Sequence, residues 1–420
     1  MEVMLWAHQS GYSSVWVEEV KLTRYGPNYS SIGESIYLKA AKYGQLGALQ
    51  WLTEHGCRGG RGYLSGAAIA AEGGHLSVVQ WLREQGCPLD KRLCSSAAVG
   101  GHLSTLQWLK QQGCPWDGYM TCASAAGGGH LSILQWLRAN GCPWGDGKTY
   151  NAAAASGHLV ILQWLRANGC PNDGMNIVGD IHSGAVQGGH LSCIQWAIAN
   201  GSSGGTHLCA EAAEYGHLSM LQWLREIRCP WDEDTCSNAA AGEHFSILRW
   251  ARANACPWDS RACQAAARRG NLPMLQWLRS NGCPWDSGVC KAAAGGGHLS
   301  ILQWLRTNGC PWCNLTCMFA AQGGHLTILK WAIANGCPWS EFTCRAAARD
   351  GNLSMLQWAR ANGCPWGEGT CRAAAEGGHL SILQWLRANE CPWGSGTLSF
   401  ADMFGHLSIY QWAKEHGCPS

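Results

Sequence analysis

The sequence predicts an all-α fold, an α-solenoid in which short helix–turn–helix repeats stack on one another. Three observations carry this prediction. Tryptophans recur at a near-constant spacing, an alanine-rich stretch precedes each of them, and glycine or proline separates the alanine-rich segments from the tryptophan segments. A period of roughly 20–50 residues is typical of repeat architectures, in which each unit contacts only its neighbours. The spacing is 27 residues from Trp223 to Trp412 and 27 to 32 residues upstream. Fourteen tryptophans mark the repeats: Trp51, Trp81, Trp108, Trp136, Trp164, Trp196, Trp223, Trp250, Trp277, Trp304, Trp331, Trp358, Trp385 and Trp412.

The alanine-rich stretch of each unit is expected to form a first, short helix. In one unit this helix is predicted over Cys344–Arg349, where three consecutive alanines give high helix propensity. Thr343 precedes it and is placed to act as its N-cap, accepting hydrogen bonds from free backbone N–H groups. Gly351 follows it and tolerates the left-handed conformation that ends many helices.

A second helix is expected to carry the tryptophan. It begins near Leu353, and Met355, Leu356 and Trp358 share one broad face at helical period. The pair Asn362-Gly363 then stops it. A helix pair of this size cannot bury its apolar face alone, so we expect the repeats to be stable only when stacked.

Residues 125–142 resemble the ankyrin repeat. They contain the Ala-Ala pair followed by Gly-His-Leu-Ser-Ile-Leu-Gln-Trp-Leu-Arg-Ala-Asn-Gly-Cys, which matches the Gly-His, central aliphatic and closing glycine positions of that repeat. The resemblance covers roughly residues 35–420. We therefore expect an ankyrin-like repeat solenoid of about 14 repeats over residues 35–420 and a degraded N-terminal repeat or cap over residues 1–34.

The resemblance has two departures and one functional implication. The unit of 27 residues is shorter than the usual ankyrin length of about 33, and a Cys-Pro-Trp turn stands where ankyrins build a β-hairpin finger. The Thr-Pro-Leu-His opening of the ankyrin first helix is also missing. Ankyrin repeats bind proteins, so the resemblance implies a non-enzymatic scaffold or adaptor with an unknown protein partner, no catalytic residues and no cofactor.

Composition narrows the class of partner that we expect. The formal net charge is +2 and charged residues make up 14% of the chain, so the overall field favours neither nucleic acid nor an acidic membrane surface. We therefore expect no nucleic-acid and no membrane partner. No run of 18 apolar residues and no signal peptide are evident, which predicts a cytoplasmic protein. We also expect a monomer.

Of the 24 cysteines, 22 fall into two ladders, 9 in the first helices and 13 just after the second helices, and only Cys193 and Cys313 lie outside them. We interpret them as free, buried thiols that pack as small apolar groups, with no metal site. Pairs across the two ladders, such as Cys337 with Cys344, remain open. The alternative function is a thiol-rich metal-binding or redox protein, for which the C-x-x-C of Cys310 and Cys313, near Cys317, is the densest cluster.

Histidines and acidic residues have structural interpretations as well. One histidine follows a glycine in most repeats at fixed phase, which favours a role in the turn over metal binding; Asn271 and Asn352 replace it in two repeats. The acidic run Asp232-Glu233-Asp234 is expected to cap a helix. The tryptophans of the Cys-Pro-Trp turns are expected to line one edge of the solenoid.

Recognition is expected at exposed first-helix positions, where the repeats differ from one another. By analogy with ankyrins these line the concave side, and they include a basic stripe between residues 260 and 375 that would attract an acidic partner. The alternative is an ordinary solvated face. The candidate partner-binding residues are Arg261, Arg268, Arg269, Lys291, Phe342, Arg345, Arg349 and Arg372.

Overall fold

The computed structural model describes residues 29–54, 62–117, 120–144, 147–171, 177–201 and 204–419, and these residues form helices joined by turns, without a β-strand. The predicted cap over residues 1–34 lies largely outside this part; the first described helix begins at Tyr29. No helix within these ranges is long and apolar enough to cross a membrane. The chain divides into two units, one ending at Ser203 and the next beginning at Gly204.

Helices alternate between the two predicted types, so that odd-numbered helices are first helices and even-numbered helices carry the spaced tryptophans. The first unit contains α1 (Tyr29–Lys42), α2 (Leu46–Glu54), α3 (Gly62–Glu72), α4 (Leu76–Glu84), α5 (Lys91–Gly100), α6 (Leu103–Gln111), α7 (Thr121–Gly127), α8 (Leu131–Ala139), α9 (Lys148–Ala155), α10 (Leu159–Ala167), α11 (Ile177–Gly188) and α12 (Leu191–Ala199). The second unit contains α13 (Thr206–Glu214), α14 (Leu218–Glu226), α15 (Glu233–Ala241), α16 (Phe245–Ala253), α17 (Ser260–Arg269), α18 (Leu272–Ser280), α19 (Ser287–Gly295), α20 (Leu299–Thr307), α21 (Asn314–Gln322), α22 (Leu326–Ala334), α23 (Glu341–Arg349), α24 (Leu353–Ala361), α25 (Glu368–Glu376), α26 (Leu380–Ala388), α27 (Thr397–Met403) and α28 (Leu407–Glu415).

Stacking within each unit follows the order of the chain. Each first helix packs against the first helices before and after it and against its own second helix. The buried layer comes from both: Ile301, Leu302 and Leu305 of α20 are fully or almost fully buried, as are the alanines of α19. The predicted all-α solenoid of helix–turn–helix repeats is confirmed for each unit by itself.

The second helices have the predicted bounds because their signals are local. In the example unit α24 spans Leu353–Ala361, and Asn362 is its C-terminal cap residue. Gly351, before it, has a φ of +79°. That angle lies in the left-handed region, which side chains with a Cβ rarely adopt.

The start of the first helix differs from the prediction. Helix α23 begins at Glu341, and Ser340, in extended conformation, is its N-cap. Thr343 was predicted to be the N-cap, which is wrong: it is the third helical residue and is fully buried. In two other repeats the threonine at this third position accepts a hydrogen bond from the N-cap backbone N–H, for example Thr316 Oγ1 from Cys313 at 3.4 Å.

Aspartates cap several first helices, as predicted for the acidic run at residue 232. Asp232 accepts a hydrogen bond from the Asp234 backbone N–H at 3.1 Å and so caps α15. Asp90, Asp259 and Asp286 cap α5, α17 and α19 in the same way. A side-chain oxygen at this position satisfies a backbone donor that the helix itself leaves free.

Repeated histidines join seven of the described repeats to the repeat before them. His325 Nε2 donates a hydrogen bond over 3.2 Å to the carbonyl of Gly295, which ends the preceding first helix. The ring lies against Gly297, where a Cβ would come within 2.7 Å of His325 Cε1. Where asparagine replaces histidine, its side chain instead caps its own helix, as Asn271 does by accepting from Met274 N–H at 3.1 Å. The histidine is therefore an inter-repeat clamp.

Candidate binding surface

Within each unit, the tryptophans of the Cys-Pro-Trp turns contact the tryptophan of the next second helix. Trp258 is half-buried; its ring centroid lies 6.0 Å from that of Trp277 in the next repeat, at an interplanar angle of 77°. The guanidinium of Arg252 lies over Trp258, 4.3 Å from its centroid, and donates a hydrogen bond to the Cys256 carbonyl at 3.1 Å. The same cation-over-tryptophan contact recurs for Lys110, Arg138, Arg225, Arg279, Arg306, Arg360 and Arg387.

These contacts have a structural role. Aromatic pairs in edge-to-face contact and cations over indole rings each contribute up to about 1 kcal/mol at partly exposed sites. The contacts link the closing turn of one repeat to the second helix of the next. The regularly spaced arginines are therefore occupied in holding the turns.

A groove of about 370 Å³ lies on the first-helix side of the second unit, between α17, α19 and α21. Its polar lining comes from Gln264 and Arg268 of α17, Lys291 of α19 and Gln322 of α21. Phe319 of α21 adds an aromatic wall. Three consecutive first helices thus bring amide, cationic and aromatic side chains together on the face where the sequence predicted recognition.

Small residues form the floor of the groove. Gly288, Ala292, Gly295 and Gly323 line it between the larger side chains. A Cβ on Gly288 would lie 2.6 Å from Gln264 Nε2, so a side chain at this position would require Gln264 to move.

Gln264 is held in place by its neighbours. Its Nε2 donates hydrogen bonds to Ser260 Oγ at 3.2 Å and to Asp286 Oδ1 at 3.3 Å. Asp286 is also the N-cap of α19. The groove wall is therefore tied to a helix terminus of the next repeat, which fixes its geometry.

Two predicted cations meet in this groove without carboxylate partners. Neither Arg268 nor Lys291 forms an ion pair within the part of the chain that the structure describes. Arg268 is exposed and Lys291 is half-buried. A cation that no carboxylate neutralises can attract a negatively charged group on a partner.

The other predicted binding residues do not join this cluster. Arg261 pairs with Asp234 of the preceding repeat and with Asp259, the latter at 2.8 Å, and Arg349 pairs with Asp350 at 3.4 Å.

The remaining members of the predicted stripe are dispersed. Arg345 lies over the ring of Phe342, 5.7 Å from its centroid, and Arg372 over that of Phe400 at 5.4 Å. Arg269 is exposed beside the groove but does not line it. The predicted basic stripe thus places two unpaired cations in the groove, leaves Arg269 exposed beside it, and has its other arginines in contact with a carboxylate or an aromatic ring.

One groove residue was missed by sequence reasoning. Phe319 stands where the neighbouring repeats have alanine, Ala292 and Ala346. A large aromatic residue at a position where both adjacent repeats have alanine was the signal available for it.

The cysteines pair across the two ladders within one repeat. Cys122 Sγ lies 3.5 Å from Cys142 Sγ, and in eight further repeats the pKa of one thiol is shifted by the thiol 20 residues away. Cys344 pairs with Cys364, so the pairing of Cys337 with Cys344 that the sequence left open is not the one formed.

These thiols do not gather into larger clusters. Among the described residues no group of three or more histidine, cysteine, aspartate or glutamate side chains is arranged to hold a metal ion. Cys310 of the C-x-x-C pairs with Cys290, and Cys313 is the half-buried N-cap residue of α21. A zinc site needs about four ligands, which two sulfurs cannot provide.

No protein-family model and no curated protein matches this chain. Among solved structures it is similar to the pentatricopeptide repeat protein PPR10 from maize, with 13% identity, a TM-score of 0.33, and 99% of this chain and 73% of that chain covered. It is also similar to the human ASB11 ankyrin repeat domain, with 18% identity, a TM-score of 0.34, and 44% of this chain and 98% of that chain covered.

A third similar structure corrects one expectation. It is PPR10 in complex with an 18-nt psaJ RNA element, with 16% identity, a TM-score of 0.28, and 98% of this chain and 77% of that chain covered. The expectation that nucleic acid is excluded as a partner is therefore wrong. What the helices, their order and their repeated sequence establish is a helical-repeat protein built from ankyrin-like helix–turn–helix units.

Proposed function

We propose that this chain is a non-enzymatic cytoplasmic scaffold that binds an acidic protein partner through the groove between α17, α19 and α21. The observation that carries the proposal is the meeting of two unpaired cations, Arg268 and Lys291, in a groove of about 370 Å³ on the face where repeats differ. Stacked repeats supply a rigid support, since the interfaces on both sides of α19 are fixed by buried helices and by the clamps of His298 and His325.

The chemistry of the groove fits a short acidic segment. Arg268 and Lys291 can each bind a carboxylate, and Arg can do so with two parallel hydrogen bonds. Gln322 is exposed and offers both an amide donor and a carbonyl acceptor to a peptide backbone. Phe319 provides apolar contact area beside the charges, a combination that favours a segment mixing acidic and apolar side chains.

The experiment is affinity purification with a charge-reversed groove. R268E/K291E changes both unpaired cations, and R228E/R269E changes two exposed arginines outside the groove by the same total charge. We expect R268E/K291E to lose at least about tenfold in recovery of a protein partner, equivalent to about 1.4 kcal/mol. R228E/R269E should retain it.

Each other outcome contradicts the proposal in a defined way. Equal recovery with both double variants removes the groove from recognition. Recovery that disappears after nuclease treatment, with RNA in the untreated sample, identifies nucleic acid as the partner class. In that case affinity should fall steeply with salt, because neutralised phosphates release counterions.

A further inference from the structure

Nine repeats each contain one buried pair of thiols that the scaffold function does not use. Each pair joins a cysteine in the first helix to the cysteine 20 residues later, which follows the second helix of the same repeat. All eighteen side chains are at most 5% exposed. The pairs are Cys94–Cys114, Cys122–Cys142, Cys209–Cys229, Cys236–Cys256, Cys263–Cys283, Cys290–Cys310, Cys317–Cys337, Cys344–Cys364 and Cys371–Cys391.

We propose that these pairs are modification sites, at which a small-molecule disulfide of the oxidised glutathione class converts each dithiol into a disulfide within its own repeat. One protein thiolate attacks the small disulfide, forms a mixed disulfide and releases one small thiolate. The second protein thiol loses its proton and attacks the protein sulfur of the mixed disulfide, which releases the second small thiolate. One small disulfide is reduced to two thiols, and two protein thiols are oxidised to one bridge.

Geometry favours bridging within a repeat over bridging between repeats. The Sγ atoms of Cys122 and Cys142 are 3.5 Å apart, and a disulfide bond of about 2.04 Å requires them to approach by only about 1.5 Å. In the last of the nine pairs Cys371 Sγ donates to the carbonyl of Cys391 at 3.9 Å, so both residues lie at the same end of the helix pair. Equivalent cysteines of neighbouring repeats belong to different stacked helices, whose axes are about 8–10 Å apart.

The two sulfurs of a pair are not equivalent toward the oxidant. A hydrogen bond from Cys344 lowers the pKa of the Cys364 thiol, and the same contact together with burial raises the pKa of Cys344. The lower-pKa sulfur is the better first nucleophile, because the thiolate is the reactive form. Its partner stands in contact, positioned for the second step.

Access to the pairs requires the closing turn of a repeat to open. In a repeat protein a turn can open locally, since its contacts reach only adjacent repeats. Cys364 Sγ now donates to the Ser340 carbonyl at 3.5 Å, and this bond must break as the turn opens. The reaction is therefore slower than that of an exposed thiol and proceeds one repeat at a time.

The chain contains its own controls for pairing. Cys87, Cys170 and Cys418 occupy the same buried position after a second helix. The residue 20 positions earlier is Ala67, Tyr150 or Leu398, so no partner thiol stands there. These three cysteines share the surroundings of the paired ones and differ in lacking the second sulfur.

The test treats the full chain, in its native state, with oxidised glutathione, followed by acid quenching, alkylation and mass spectrometric mapping of disulfides. We expect a loss of about 2 Da per bridge, bridges between cysteines 20 residues apart, and a higher midpoint of thermal unfolding that a reductant reverses. Cys87, Cys170 and Cys418 should appear as thiols or as glutathione adducts.

A single substitution keeps the assignment falsifiable even if folding is weakened. In C344S the bridge to Cys364 should be replaced by a glutathione adduct on Cys364, while the other eight bridges form as before. Bridges between different repeats, adducts on both members of a pair, or thiols that remain reduced would each overturn the proposal.

Discussion

The histidine clamp can be tested by comparing two glycines that have similar φ values and differ in whether a histidine ring lies beside them. Gly297 and Gly309 have φ values of +85° and +78°. A Cβ on Gly297 would come within 2.7 Å of His325 Cε1, whereas a Cβ on Gly309 would have no heavy atom within 4 Å. G309A is therefore a matched control that carries the backbone strain of G297A without the collision.

The magnitudes follow from this difference. An alanine in the left-handed region costs about 1–2 kcal/mol, and both variants should lose that much. In G297A the imidazole must also move, which removes its hydrogen bond to the Gly295 carbonyl and costs about 0.5–1.5 kcal/mol more. G297A should thus be less stable than G309A by about 1 kcal/mol.

Removing the ring provides the internal check. H325A alone should cost about 1 kcal/mol for the lost hydrogen bond. In the H325A background, G297A should cost only the strain that G309A shows, so the two substitutions are non-additive by about 1 kcal/mol. Contacting residues commonly couple by this amount.

The assay is urea unfolding of the full chain monitored by tryptophan fluorescence, with midpoints compared at constant slope. Because repeat arrays do not always unfold in one step, native-state hydrogen exchange of the amides around Gly295 and His325 would locate the effect. Equal losses for G297A and G309A, or full additivity of G297A with H325A, would refute the clamp.

Three further predictions concern the turns, the caps and the buried hydroxyl. R306A should lower the free energy of unfolding by about 1–2 kcal/mol, because it removes the contact with Trp312 and a hydrogen bond to a turn carbonyl. As a control in the same urea titration, R269A should change the free energy of unfolding by less than about 0.5 kcal/mol. D232A should cost about 1 kcal/mol by removing the N-cap of α15, and D232N should recover most of it. Burial raises the pKa of Tyr150 to about 12, which lies above the ordinary tyrosine value of about 10. The stability that protonated Tyr150 gives the folded state is therefore present below about pH 10 and is lost as the pH rises toward 12. The free energy of unfolding of Y150F should accordingly fall less steeply than that of the unsubstituted chain in this alkaline range.

The second helices were predictable because everything that defines them lies within a dozen residues. The glycine before α24, the apolar face and the closing Asn362 are all local signals. The start of α23 was not predictable in this way, because Ser340 and Thr343 are both suitable N-caps by residue type. Only the extended backbone at Ser340 distinguishes them, and that conformation is set by the turn that precedes it.

The candidate site was only partly predictable, because its electrostatics depends on pairs between repeats. The sequence places Arg261 and Arg268 on one exposed helix face and gives no reason to rank them. The structure separates them, since Asp234 of the preceding repeat neutralises Arg261 while Arg268 has no such partner. The cysteine pairs pose the same difficulty. Cys337 is close to Cys344 along the chain, yet the second helix runs back along the first and places Cys364 beside Cys344.

Different positions of the repeat have different roles, which explains how one groove can form among nearly identical repeats. Leucines, alanines, clamp histidines and turn tryptophans bury or link the stack, and a change at any of them disturbs a neighbour. Exposed first-helix side chains lie outside the buried layer, so substitutions there cost less stability than substitutions within that layer. Phe319, where the adjacent repeats have alanine, and Lys291, where they have Gln264 and Met318, change the surface while the buried positions of the repeat stay the same. A few substitutions at such positions can therefore create a binding site on this scaffold, and we propose that the partner binds at these departures from the repeat.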